Sequence, residues 1–143
     1  MGIKKLTILS CMCYLTSVMT HAHELDLMTE KKLFKNYALA ICIASEYKEL
    51  SISKDAGRAL TGYREFGKLD LGVYRDAYAL LEDWKSKPYL SQSGDPIKLA
   101  RCIDFHNSPE IENLFLENNP CLDDTNWRDK SQFKVRCPLE SSN

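Results

Sequence analysis

Histidine is scarce, with three in 143 residues, and none of the six cysteines lies in a Cys-x-x-Cys pair. A structural zinc site needs clustered Cys and His ligands, so that class is excluded and no metal or other cofactor is expected. Glycine is sparse too. Gly57, Gly62 and Gly67 are spread along one helix and its end, which leaves no glycine-rich loop to cradle a phosphate. Beyond the first twenty or so residues, no segment approaches the roughly 20 apolar residues of a membrane span. Basic residues are not clustered, so a nucleic-acid footprint is absent. No stretch alternates at period two for long; Gln132-Phe133-Lys134-Val135 is the one short strand candidate. Internal repeats, low-complexity tracts and linkers are absent as well.

What is present begins with the marks of an export signal. Lys4 and Lys5 form a positive end, and Leu6 to Met19 is apolar apart from Ser and Thr. Thr20-His21-Ala22 has small residues at −3 and −1, which places a cut after Ala22. Cys11 and Cys13 lack the flanking residues of a lipoprotein site. Removal of residues 1–22 leaves 121 residues, enough for one core. Loss of Lys4 and Lys5 takes nineteen basic residues to seventeen against twenty acidic ones, a net of −3. The expected layout is a signal over 1–22, a helical domain over 23–118 and a tail over 119–143.

The domain reads as all-α, a compact bundle of about five helices. Thr29 caps a first helix over Glu30 to Leu50, with Leu33, Phe34, Tyr37, Ala38, Ile41, Ala44 and Tyr47 on its apolar face and Cys42 at the edge. Ala38, Ala40 and Ala44 admit a close neighbour, so this helix should be the most buried. Ser53 is expected to cap a second helix, about Lys54 to Phe66, ended by Gly67. Asp70 starts a third, running to about Lys87 on a stripe of Val73, Ala77, Leu80, Leu81 and Trp84, and Pro88 stops it. Asp95-Pro96 is expected to open the fourth helix, which buries Leu99, Ala100 and Ile103 with Phe105 or His106. Ser108-Pro109-Glu110 opens the fifth, with a favoured cap, a first-turn proline and a first-turn carboxylate. Its stripe is Ile111, Leu114 and Phe115.

Four cysteines remain after the signal: Cys42, Cys102, Cys121 and Cys137. In an exported domain they imply two disulfides, with three connectivities possible. The tail from Asn118 has no sustained period and would fray unless tied. That favours Cys121 with Cys137 and Cys42 with Cys102, although sequence alone does not fix the choice.

Asp104, His106 and Ser108 carry the letters of a hydrolase triad, but residues two apart on a helix point to nearly opposite sides. Ser108 is also needed as a cap. Asp104 reads instead as a structural residue, accepting hydrogen bonds at the corner or pairing with a Lys or Arg. With the cysteines oxidised, no nucleophile remains, and the chain reads as a binding module, not an enzyme. The outer side of the third helix offers Tyr74, Arg75, Tyr78 and Glu82, rich in types favoured at interface hot spots. The competing reading has the tyrosines covering the core edge with hydroxyls outward. The loop over 89–94, with Ser91, Gln92 and Ser93, is a second candidate surface.

NYALAICIASEYK in the first helix, GYREFG at the end of the second and LARCIDFHNSPEIENL at the central corner resemble the periplasmic immunity proteins of type VI secretion. The likeness is to the family that neutralises the fourth class of peptidoglycan amidase effectors, and it spans roughly Phe34 to Leu116. The tail is not part of that pattern. The resemblance implies a periplasmic homodimer that covers the active-site groove of a cysteine amidase. It implies contact through the third helix of one subunit and the fourth-helix region of the other, here Asp70–Lys87 and Ser91–Lys98. Cys42, Cys102, Asp104 and Ser108 carry over as fold-holding residues. No nucleic acid or membrane enters this reading. Two other classes compete with it: a secreted helical carrier of small apolar ligands, which needs a large cavity, and an inhibitor of a different periplasmic hydrolase.

Overall fold

The computed structural model describes residues 23–138; the expected export signal and its cut after Ala22 lie outside them. Among the described residues there are seven α-helices and no strand: α1 His23–Asp26, α2 Glu30–Glu46, α3 Ser51–Phe66, α4 Leu71–Ser86, α5 Lys98–His106, α6 Pro109–Glu117 and α7 Lys130–Arg136. The all-α reading holds, and the five expected helices are α2 to α6. Both disulfides close as the tail argument favours, Cys42–Cys102 and Cys121–Cys137, each with Cα atoms 5.4 Å apart.

Helix α2 is the axis. It lies against α3, α4, α5 and α6, and Leu33, Phe34, Tyr37, Ala38, Ala40, Ile41 and Cys42 are all buried on it. Thr29 caps its start by accepting from the Lys32 amide. It ends at Glu46, not Leu50, and α3 starts at Ser51 with Leu50 in the capping position and no side-chain cap. Ser53 is not a cap. Its hydroxyl donates to the Ala44 carbonyl at 2.9 Å, a bond that the small Ala44 side chain leaves accessible.

Two other helix starts behave as the sequence indicates. Asp70 accepts from the Gly72 amide and Ser108 from the Ile111 amide, with Pro109 in the first turn. The start of α5 does not. Asp95 accepts from the Ser93 hydroxyl inside its own loop, so the helix begins at Lys98 with Ile97 in the capping position and no side-chain cap. The buried face of α5 also differs. Cys102 and Phe105 are fully buried, whereas Leu99 is 54% and Ile103 45% exposed. Bonding of Cys102 to Cys42 fixes the rotation of the helix and turns Leu99 and Ile103 outward. Arg101 reinforces that docking through an ion pair to Glu46 at 2.7 Å, both side chains nearly buried.

The tail contains structure that its polar composition hides. Gln132–Val135 is part of α7, not a strand, and Asp129 caps that helix by accepting from the Ser131 and Gln132 amides. Trp127 is buried against Phe133, ring centroids 5.4 Å apart, and its Nε1 donates to the Pro120 carbonyl. Arg136, the last residue of α7, is buried and reaches back to the start of α2.

Candidate partner-binding surface

Leu71, Arg75, Tyr78 and Glu82 recur at intervals of four, three and four residues. At 3.6 residues per turn they fall within one narrow stripe along α4. The stripe faces water: Leu71 is 71% exposed and Tyr78 40%, and the Arg75 and Glu82 side chains are exposed as well. Among the described residues Arg75 meets its neighbour Asp76 at 3.6 Å, while Glu82 holds Lys85 at 2.9 Å. Pairs this exposed contribute little to stability, so the charged groups of the stripe are open to another protein.

The stripe stands on a stiff base. The Tyr78 ring packs edge-on against Tyr37 at 6.2 Å, Tyr37 against Tyr74 at 4.7 Å, Tyr74 against Phe34 at 6.1 Å, and Phe34 stacks on Phe115 at 6.2 Å. This aromatic ladder runs from the centre of the core to the surface. Tyr74 therefore does not belong to the exposed set. It is buried, because it stands three residues before Ala77 and seven before Leu81 on the inward stripe. Burial, aided by the negative charge of Glu30, pushes its hydroxyl up to about 12. Of the two tyrosines, Tyr78 alone keeps part of its ring at the surface.

The second expected surface, the loop over 89–94, lies within a self-closed turn over 89–97. The Ser91 amide donates to the Asp95 carbonyl at 2.8 Å, and the hydroxyls of Ser91 and Ser93 lie 2.8 Å apart. Leu90 bridges Pro96, and Gly94 adopts φ +89°, which favours glycine. Ser91 and Ser93 thus spend their hydroxyls inside the loop, leaving Gln92 exposed at its tip.

The corner residues do not assemble into a triad. Ser108 is buried and caps α6, His106 Nδ1 lies 3.1 Å from Asn107 Oδ1, and Asp104 is exposed. Burial and the charge of Lys35 hold the His106 imidazole below its usual range. The backbone bonds expected of Asp104 are not made. Asp104 lies on the side of α5 turned away from Cys102 and is exposed, and at the corner itself the Asn107 side chain and amide both donate to the Ile103 carbonyl. A cleft of about 400 Å³ opens at the C-terminal end of α2, lined by Ser45, Tyr47, Lys48, Lys85 and Lys98 among others. Its charged rim does not suit a small apolar ligand. Among the described residues no cluster of three or more His, Cys, Asp or Glu side chains could hold a metal.

A family model for the type VI secretion system amidase immunity proteins called Tai4 matches residues 32–115. The chain belongs to the Tai4 family. The matched segment covers α2 from its first turn to nearly the end of α6 and includes the α4 stripe, the 89–97 turn and the Cys42–Cys102 bond. It excludes α1 and the whole tail. No curated protein matches the chain. Family membership makes this an amidase immunity protein whose partner is a type VI secretion amidase effector. Arg136 and Asp129 are structural residues that sequence reading passed over. The available signal was an Asp followed by Ser and Gln at cap spacing.

Proposed function

We propose that this immunity protein neutralises its amidase by obstruction in the periplasm, pressing the outer stripe of α4 into the active-site groove of the effector. The observation that carries the reading is the stripe itself: Leu71, Arg75, Tyr78 and Glu82 exposed in one line on a helix whose other side is locked into the core. A preformed surface loses little conformational entropy on binding, so its contacts appear largely as affinity. Tyr78 and Arg75 are the side chains of the hot-spot type. The Gln92 tip of the 89–97 turn is the second contact. Inhibition of this kind needs no chemistry from the inhibitor. The exported chain starts after Ala22 in this reading, with the helical domain ending near residue 118 and the disulfide-tied tail following.

A homodimer belongs to the same reading. Its support is the Leu99–Ile103 pair, two large apolar side chains one turn apart and exposed on α5. Sedimentation of the parent and of Ile103→Glu tests it: a dimer that dissociates in the variant supports it, and a monomeric parent removes it.

The main test is coexpression of the exported chain with a cognate amidase. Cells survive with the parent, and Tyr78→Ala weakens the purified complex by at least about 1 kcal/mol with the fold retained. Lysis despite folded, exported protein refutes obstruction, and unchanged affinity in both Tyr78→Ala and Arg75→Ala moves the interface off α4.

A further inference from the structure

The tail lies outside the family match, yet its last helical residue holds together three elements that stand far before it in the sequence. The Arg136 guanidinium is 1% exposed and sits 3.2 Å from Glu30 Oε1 and 3.2 Å from Asp26 Oδ1. It also donates to the carbonyl of Phe66, at the end of α3. Glu30 in turn accepts from the Lys68 amide at 2.8 Å. One side chain thus fastens the end of α1, the start of α2 and the α3–α4 corner. The residue after it is Cys137.

Little else keeps α7 in place. Seven residues make a helix too short to persist alone, and the tail's own core is the Trp127–Phe133 pair, with Lys68 over the indole at 5.9 Å. The covalent tie is Cys121–Cys137, which closes a loop of sequence separation 16. The two disulfides differ in access. Cys42 and Cys102 are both fully buried, whereas Cys137 is 8% exposed and Cys121 is only partly covered.

We infer that the tail is a redox-gated clasp: the Cys121–Cys137 bond holds Arg136 in its socket, and a dithiol reductant opens the clasp while leaving Cys42–Cys102 intact. In the opening step a reductant thiolate attacks the sulfur of Cys121, the more exposed residue of the pair, and Cys137 leaves as the thiolate and takes up a proton. The second reductant thiol then attacks the mixed disulfide. Cys121 is released as a thiol, and the reductant departs as its own cyclic disulfide. Two electrons pass from the dithiol to the cystine. Freed from its tie, α7 frays and withdraws Arg136, so Glu30 stays buried without its cation and the corner at Phe66–Leu69 loosens. The bundle is then fully locked only in an oxidising compartment. This inference stands whichever surface meets the amidase.

The test is a titration of the oxidised full chain with dithiothreitol, with alkylation of free thiols mapped by peptide mass and amide exchange followed by mass spectrometry. Cys121 and Cys137 become alkylated at lower reductant than Cys42 and Cys102. Exchange then rises about tenfold or more at the Lys68 amide and across α1, and reoxidation reverses it. Oxidised Arg136→Gln shows the same rise, and reduction adds nothing further. If that variant does not fold, the reversible titration of the parent decides alone. Simultaneous reduction of both disulfides overturns the inference. So does unchanged exchange at Lys68 once Cys121–Cys137 is open, or unchanged exchange in folded Arg136→Gln.

Discussion

Tyr74 and Tyr78 are the same residue type one helical turn apart, and only packing separates them. Tyr74 sits on the Ala77–Leu81 side of α4 and touches Phe34 and Tyr37, so Tyr74→Ala leaves a cavity at the centre of the bundle. We expect a loss of about 3–5 kcal/mol in denaturant unfolding, the usual range for truncating a buried aromatic. Tyr78→Ala should cost under about 1 kcal/mol in the same measurement, because its ring is partly in water. Gly67 belongs with Tyr74. It ends α3 with extended backbone, not a left-handed turn, so conformational freedom is not what requires glycine there. A Cβ on residue 67 would lie 2.3 Å from the Tyr74 hydroxyl oxygen. Gly67→Ala must displace that hydroxyl and disturb the edge-on contacts of the ring with Phe34 and Tyr37, at about 1–3 kcal/mol, and thermal unfolding checks it. The sequence displayed both residues without the contact between them. Tyr74 could have been placed by its spacing to Ala77 and Leu81, whereas nothing local announces that Tyr74 needs the space at position 67.

Helix starts were legible where a single side chain decides them. Thr29, Asp70 and Ser108 each reach an amide within three residues, and such short-range bonds depend on little else. Ser53 and Asp95 have equally suitable side chains but find other partners, Ala44 across the α2–α3 contact and Ser93 across its own turn. Capping is thus a competition that distant packing can win. The same short-range bonding starts α7, where Asp129 accepts two amides. Asp129→Ala should cost about 1 kcal/mol and speed exchange of the amides in Lys130–Arg136 before those of α2. A uniform change across all helices would mean that α7 is not a separate unit. Periodicity ranks Leu99 and Ile103 above a cysteine, which puts the expected face of α5 about one residue's rotation, roughly 100°, from the face that is buried. It cannot know that Cys102 is bonded to Cys42.

At the scale of the molecule, the two ends of the described chain meet through Glu30 and Arg136. Burial lifts the Glu30 carboxyl above its ordinary 4.5, against the opposing pull of the Lys68 amide and the Arg136 charge; Tyr74 faces the same carboxylate from α4. A carboxyl raised on folding holds its proton more tightly folded than unfolded. Its contribution is therefore largest below 4.5 and declines as pH rises toward the folded value. Glu30→Gln keeps the shape and abolishes the titration. The melting temperature of the variant relative to the parent should thus climb as pH rises from 4.5 and level off above the raised folded value; a flat difference would show that the carboxyl is not raised. Removal of Arg136 is a different matter, since a buried charge that loses its partner costs about 3–5 kcal/mol. What the sequence by itself determined is the helical class, three of the caps and the outward place of Arg75, Tyr78 and Glu82 on α4, because each of these lies in local spacing; the family likeness over 34–116 was carried by whole motifs. Only the tertiary structure decided which way α5 turns, that the tail contains a helix, and that a residue in it clasps the start of α2. Those outcomes depend on contacts between residues as much as 110 positions apart, and one-dimensional periodicity carries no information at that distance.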